Sequence, residues 1–208
     1  MSLYPIELDL NGRTALVVGL GSVGRRKAAG LVAAGAAVIG IDPAVTSETC
    51  PESVSPRVEP YHERHLEGVS LVVAACTPEV NRRVVADARA AGLWVNSASE
   101  PGSSDFFLPA VWRSGGILLT VSTSGASPAL ARMLRDRAAE ALGKAAAGLA
   151  ATLADLRPIV LARVENPEIR RKILNNWGNP RWLDLFAKGG ATAVRGELTR
   201  VLDKFLEE

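Results

Sequence analysis

The chain has 208 residues, 48% of them hydrophobic, enough to bury one full α/β core and an appendage, and this excludes a disordered or fibrous protein. Its 24 basic and 22 acidic residues leave a formal charge of +2, too little to make nucleic acid or an anionic membrane the main partner. Cys50 and Cys76 are too few for a disulfide framework or a thiolate zinc site and are expected to be reduced. The start Met1-Ser2-Leu3-Tyr4-Pro5 lacks the features of a signal peptide, and no apolar run approaches the roughly 18 residues of a membrane span. A cytoplasmic protein is expected.

Residues 14–18 form a short apolar run that leads into Gly19-Leu20-Gly21-Ser22-Val23-Gly24, and residues 22–34 then read as a helix. Residues 37–41 read as a second strand that ends at Asp42-Pro43. In such a strand-turn-helix the first glycine permits a tight turn and the second lets a pyrophosphate approach the backbone. The third lets the helix pack closely on the strand. Gly19, Gly21 and Gly24 take these places, with Ser22 and Val23 offering the first amides of the helix. Asp42, with Pro43 beside it, lies roughly 20 residues past the glycines, where a carboxylate accepts bonds from ribose hydroxyls and repels a 2′-phosphate. NAD is therefore the expected cofactor. Arg25, Arg26 and Lys27 oppose the helix dipole in the first turn, so they either face a bound phosphate or form a solvated face.

Beyond Asp42 a proline-bearing connection holds a possible strand at residues 57–61. His62 and His65 lie three apart in a loop-like stretch and have no assured third ligand, so no metal site is expected. Residues 70–75 read as a strand covered on both faces, and residues 78–91 as a helix with Thr77 at its N-cap and Pro78 at its first position. Residues 93–96 read as the next strand. Residues 13–96 thus alternate strand and helix as a doubly wound, Rossmann-like parallel sheet does. Thr77 and Asn81, at a strand end of that sheet, are candidates to face the cofactor or simply to cap the helix.

From Ser97 the character changes. A turn-rich loop precedes expected strands at residues 106–111 and 117–122, which either extend the sheet or pair between subunits. Ser127-Pro128 opens a helix running to about Leu142, with Gly143 as its stop, and the chain is helical from there on. Trp177 and Trp182, near Arg170-Arg171-Lys172, are explained by packing of amphipathic helices better than by nucleic acid.

These residues together resemble the dehydrogenase and ferrochelatase module of sirohaem synthesis, the precorrin-2 dehydrogenase family. The resemblance covers roughly residues 3–145 and rests on Gly19-Leu20-Gly21-Ser22-Val23-Gly24-Arg25-Arg26-Lys27, on Ala74-Ala75-Cys76-Thr77 with Asn81, on Asn96, and on Phe106 with Pro109. Its most specific part is Ser122-Thr123-Ser124-Gly125-Ala126-Ser127-Pro128-Ala129-Leu130-Ala131-Arg132, which generic dinucleotide binding does not require.

The resemblance implies NAD-dependent oxidation of precorrin-2 to sirohydrochlorin, in some members followed by ferrous iron insertion. It also implies a homodimer built from a Rossmann domain, a central dimerisation and substrate region, and a helical C-terminal domain. In this chain those parts are expected at residues 1–112, 113–145 and 146–208. Asn96, Ser124, Gly125, Ser127 and Arg132 become candidates to bind the acidic tetrapyrrole. Where the family carries a general-base aspartate this chain has Ser99, so Ser99, Glu100 and Asp105 are the catalytic candidates. A missing carboxylate weakens metal insertion, which must remove two N–H protons, more than oxidation, which removes one. A reading from another class is an NAD(H)-binding sensor that does not turn over tetrapyrrole.

Overall fold

The structure, a computed structural model, describes residues 3–206 apart from Ser47 and Thr49. Met1 and Ser2, which open the segment read above for a signal peptide, lie outside the described residues. The chain divides into two compact units, residues 1–108 and residues 109–208.

In the first unit five parallel strands stand in the order β3-β2-β1-β4-β5: β1 (Thr14–Val18), β2 (Ala37–Ile41), β3 (Val54–Arg57), β4 (Leu71–Ala74) and β5 (Trp94–Ser97). Strand side chains alternate, so Val17 and Val73 face one layer and Val18, Val72 and Val95 the other. Helix α1 (Ser22–Val32) buries Ala28 and Leu31 on the first layer, and α2 (Pro78–Ala90) buries Val84, Val85 and Ala88 on the second. With both faces covered, β1 and β4 are almost uniformly apolar. The order reverses between β1 and β4, the switch point where a doubly wound sheet opens a crevice for ligands.

The strand expected at residues 57–61 lies earlier, at Val54–Arg57. It is an edge strand, where Pro56 withholds no amide that a further neighbour needs. Tyr61 is buried in the second layer instead. His65 also turns inward: its Nδ1 accepts from the His62 amide at 3.1 Å and its Nε2 meets Glu59 at 3.1 Å.

In the second unit β6 (Ala110–Ser114) and β7 (Ile117–Val121) pair antiparallel with each other. They neither extend the parallel sheet nor need a second subunit to be paired. Gly115 and Gly116, at φ 55° and 84°, make the two-residue turn, and a Cβ on Gly115 would strike the backbone of Ala147. Residues 106–109, expected as strand, form a connection in which Phe106 packs on the first unit's core. Helix α3 (Pro128–Arg163) is broken at Gly143, whose φ of 63° and ψ of −179° are not helical, as the expected stop requires, and the chain is helical again beyond it. It is followed by α4 (Pro167–Asn176) and α5 (Arg181–Leu206), the latter bent at Gly190. Leu156 and Val160 of α3, Ile173 of α4, and Trp182, Val194 and Leu198 of α5 form the core of this unit.

Helix α3 also holds an 18-residue window of mean hydropathy 1.4, so one described helix is long and apolar enough, by length and composition, to cross a membrane. That corrects the expectation of no such run. The window exists because Leu and Ala serve equally in a packed helix, and the Thr152, Leu156 and Val160 face of α3 is buried inside its own unit.

Candidate functional site

At the switch point three glycines play different parts. Gly19 sits at φ 94°, its amide donates to the Ile41 carbonyl at 2.8 Å, and a Cβ there would lie 2.5 Å from the Ala75 carbonyl oxygen. A Cβ on Gly24 would collide with the Gly19 carbonyl. Both glycines are therefore demanded by the protein itself. Gly21 is not: its φ of −64° suits any residue, and a Cβ would meet nothing within 4 Å. The open space above Gly21 is where the turn can accept a phosphate.

Gly21 caps α1 with no side-chain bond, and the first turn carries no acidic residue, so the amides of Ser22, Val23 and Gly24 are presented to that space. Ser22 and Val23 are exposed, as a ligand contact requires.

Asp42 stands at the end of β2, half-buried, with each carboxylate oxygen already accepting one main-chain bond. Oδ2 accepts from Leu20 N at 2.8 Å and Oδ1 from Ala44 N at 2.8 Å. One carboxylate thus ties the glycine turn to the Pro43-Ala44 turn. A carboxylate has about four lone-pair sites, so acceptor capacity remains for ribose hydroxyls. Pro43 is exposed beside it. Beside the turn, the Cys76 thiol is pushed up from its ordinary value by burial and by the Asp42 charge.

Thr77 holds the N-cap position of α2, but its hydroxyl makes no capping bond. Glu79, in the first turn of α2, is held below the usual carboxylate range by its own backbone amide and then by the Thr77 hydroxyl. Asn81 is buried and fully engaged: its Oδ1 accepts from Cys76 N at 2.9 Å, and its Nδ2 donates to Cys76 O at 3.1 Å and to Ser99 Oγ at 2.9 Å. Its side chain is a clamp between two loops at the sheet's C-terminal edge.

The three catalytic candidates differ sharply in freedom. Asp105 is committed: Oδ1 accepts from Arg89 Nη2 at 2.8 Å and Nε at 3.2 Å, and Oδ2 accepts from Val95 N at 3.1 Å. Ser99 is exposed and accepts one bond from Asn81, which leaves its hydroxyl hydrogen to donate. Glu100 is 38% exposed at its side chain, 3.6 Å from Arg82 and 3.3 Å from the Ser103 hydroxyl. Asn96 is buried, with Oδ1 accepting from Lys27 Nζ at 2.7 Å and Nδ2 donating to the Phe106 carbonyl at 2.8 Å. Lys27 therefore turns to β5 and not to the glycine turn, against the reading that placed all three cations at a phosphate.

In the second unit Ser124 adopts φ 51° and Gly125 φ 88°, so the chain turns sharply between β7 and α3. Thr123 Oγ1 accepts from Ser127 N at 3.0 Å and donates to Ser127 O at 3.1 Å. Ser127 Oγ caps α3 by accepting from Leu130 N at 3.2 Å, and Arg132 lies exposed one turn on.

Sequence spacing gave no sign of the Lys27–Asn96 contact, which joins residues 69 apart, nor of the Arg89–Asp105 lock. The dual use of Asp42 was equally hidden, because nothing in a sequence says which amides a carboxylate accepts.

The parallel sheet, its switch point and the glycine turn define the first unit as a nicotinamide-dinucleotide-binding domain. Residues 6–110 match the family model described as putative NAD(P)-binding, and residues 119–138 match the sirohaem biosynthesis protein central model. The chain is 31% identical over 217 residues to siroheme synthase of Nitrosospira multiformis, covering 100% of this chain and 46% of that protein. It is 35% identical over 219 residues to siroheme synthase 1 of Halorhodospira halophila, covering 98% and 44%. A solved structure described as "SirC, precorrin-2 dehydrogenase" shares the fold, with a TM-score of 0.74 at 21% identity over 97% of this chain and 100% of that one. The chain belongs to the putative NAD(P)-binding family over residues 6–110, is similar to the N-terminal part of siroheme synthases, and spans just under half the length of these curated relatives.

Proposed function

We propose that this protein oxidises precorrin-2 to sirohydrochlorin with NAD as hydride acceptor, acting as a cytoplasmic homodimer. The observation that carries the reading is Gly21: a glycine that the fold does not need, at the mouth of an uncapped helix, in a chain similar along its length to siroheme synthases. NAD rather than NADP is favoured because Asp42 places a carboxylate at the end of β2, where a 2′-phosphate would be repelled.

NAD, when bound, supplies the electrophilic carbon that takes the hydride. The chain must then hold the macrocycle and remove one proton. Gly19, Gly21, Gly24 and the amides of Ser22 and Val23 take the pyrophosphate, and Asp42, flanked by Pro43, takes the adenosine ribose. Thr77 borders the crevice, and Asn81 fixes its wall. Asp105 is locked by Arg89, so Glu100 is the carboxylate left to accept the proton, with the Ser99 hydroxyl available to orient a water. In the second unit the Ser124-Gly125 turn, the Ser127 cap and Arg132 offer donors to the substrate's carboxylates. Ferrous iron insertion is weaker in this reading, because Ser99 stands where a proton-accepting aspartate is expected.

The dimer is supported by α3, where Leu130, Met133 and Leu134 fall on one helical face and are 42%, 43% and 42% exposed. An exposed apolar stripe of this kind is covered when two copies associate.

The test is anaerobic incubation of the purified protein with precorrin-2 and either NAD or NADP, following sirohydrochlorin by its absorbance. NAD-dependent conversion is expected. Dinucleotide binding without conversion would replace this reading by the NAD(H)-binding sensor, for which a site without an aspartate is sufficient.

A further inference from the structure

Lys27 is an unusual lysine. It lies partly buried on α1, three residues after Gly24, and among the described residues no carboxylate pairs with it. Burial, with Arg26 beside it, pushes its ammonium below the ordinary lysine value. Such a cation is retained at a cost unless it has a task.

Its contact defines the task. Pairing sets Val17 opposite Val73 and Val73 opposite Asn96, so these three side chains form a row across β1, β4 and β5 on the face that α1 covers. Two strand spacings, about 10 Å, separate β1 from β5. Lys27 reaches along that row because Gly24, without a Cβ, lets α1 lie close on the sheet. At its end Nζ donates to Asn96 Oδ1 at 2.7 Å, and the amide nitrogen of the same side chain donates to Phe106 O at 2.8 Å.

The charge-assisted bond from Lys27 fixes which way the Asn96 amide points. Only with its oxygen toward Lys27 does its nitrogen reach the Phe106 carbonyl. Phe106 closes the loop of residues 98–105, which carries Ser99 and Glu100, and its ring packs on the α1 layer. The start of the same loop is held elsewhere, through Asn81 to Ser99 and through Ser104 Oγ, which accepts from Ser97 N at 2.9 Å.

We propose that Lys27 is a positioning residue that, through Asn96, anchors the 98–106 loop to the helix whose N-terminus receives the dinucleotide. This rests on the oxidoreductase reading for its catalytic consequence but not for its structural one. Lys27 touches neither cofactor nor substrate in this role; it sets the place of the groups that accept the proton. Asn96, expected at the substrate, acts here as the link.

The test compares wild type, Lys27→Met and Lys27→Arg by three readouts: NADH binding by fluorescence, kcat and KM for precorrin-2 oxidation, and hydrogen exchange of the Ser97 and Asp105 amides. Lys27→Met is expected to leave the NADH Kd within about threefold while kcat falls about tenfold or more, because a loop displaced by an ångström misplaces its catalytic groups. The Ser97 and Asp105 amides should exchange about tenfold faster as the loop loses its anchor. Lys27→Arg, which keeps a cation and a donor, should restore most of both. Wild-type exchange and kcat in Lys27→Met would overturn the proposal, and so would an equal loss in Lys27→Arg. If wild type binds NADH but leaves precorrin-2 unchanged, the proposed reaction fails, while the exchange comparison still decides whether Lys27 anchors the loop.

Discussion

The glycine turn after β1 and the 98–106 loop after β5 both lie at the C-terminal edge of the parallel sheet and are held in place by opposite means. In the turn, main-chain sterics do the work: Gly19 and Gly24 occupy positions where a single added carbon would collide with backbone. In the loop the restraints are side-chain hydrogen bonds from distant elements, Asn81 and Arg89 on α2 and Lys27 on α1. A surface that takes phosphate must keep its shape whether or not a ligand is present, and backbone exclusion provides that. A loop proposed to handle a proton must place side chains, and hydrogen bonds from rigid helices do so while leaving room to adjust.

The sharpest way to break the contrast is at the glycines. Gly24→Ala should destabilise the protein by about 3 kcal/mol, the upper range for overpacking, because the Gly19 carbonyl cannot yield without moving β1. Gly21→Ala should leave stability within about 0.5 kcal/mol yet weaken NADH binding about tenfold or more, since the methyl group enters only the ligand's space. Urea melts and NADH titration of the two variants separate the protein's own need for glycine from the cofactor's. Equal losses of stability would mean that Gly21 is structural after all.

On the loop side, Asn81→Ala strips partners from the buried Cys76 amide and carbonyl and should cost about 2 kcal/mol in a urea melt. Arg89→Ala should cost only about 0.5 kcal/mol, because its pairing with Asp105 is largely solvated, while the Val95 amide exchanges faster as Asp105 loosens.

The smallest effect concerns pH. Lys27 titrates below the ordinary lysine value of 10.5 in the folded protein, so between its lowered value and 10.5 the unfolded chain binds more protons than the native one. Stability contributed by this group therefore rises with pH in that window. The Tm of wild type relative to Lys27→Met should climb as pH is raised through it, and a falling difference would contradict the burial of Lys27.

Much of this was legible along the chain. The strand-helix alternation of residues 13–96, the glycine turn and Asp42 could be read because each rests on local spacing: a period of two or 3.6, or a turn that only glycine permits. The same local reading misplaced β3 and extended a strand to Phe106, because an apolar residue such as Tyr61 or Phe106 announces burial without saying in which element. It read Gly143 correctly, as the glycine at which the helix from Pro128 breaks before the chain turns helical again.

The sequence by itself determined a parallel sheet with a glycine turn at the start of a helix and a carboxylate at the end of the second strand, since these follow from local spacing and from turns that only specific residues allow. Only the tertiary structure decided which polar groups remain free. It locks Asp105 with Arg89, clamps Asn81 between two loops, joins Lys27 to Asn96 and leaves Glu100 the less engaged of the two candidate carboxylates. Hydrogen bonds between residues far apart depend on where strands and helices bring their side chains, and that placement exists only once the chain has folded.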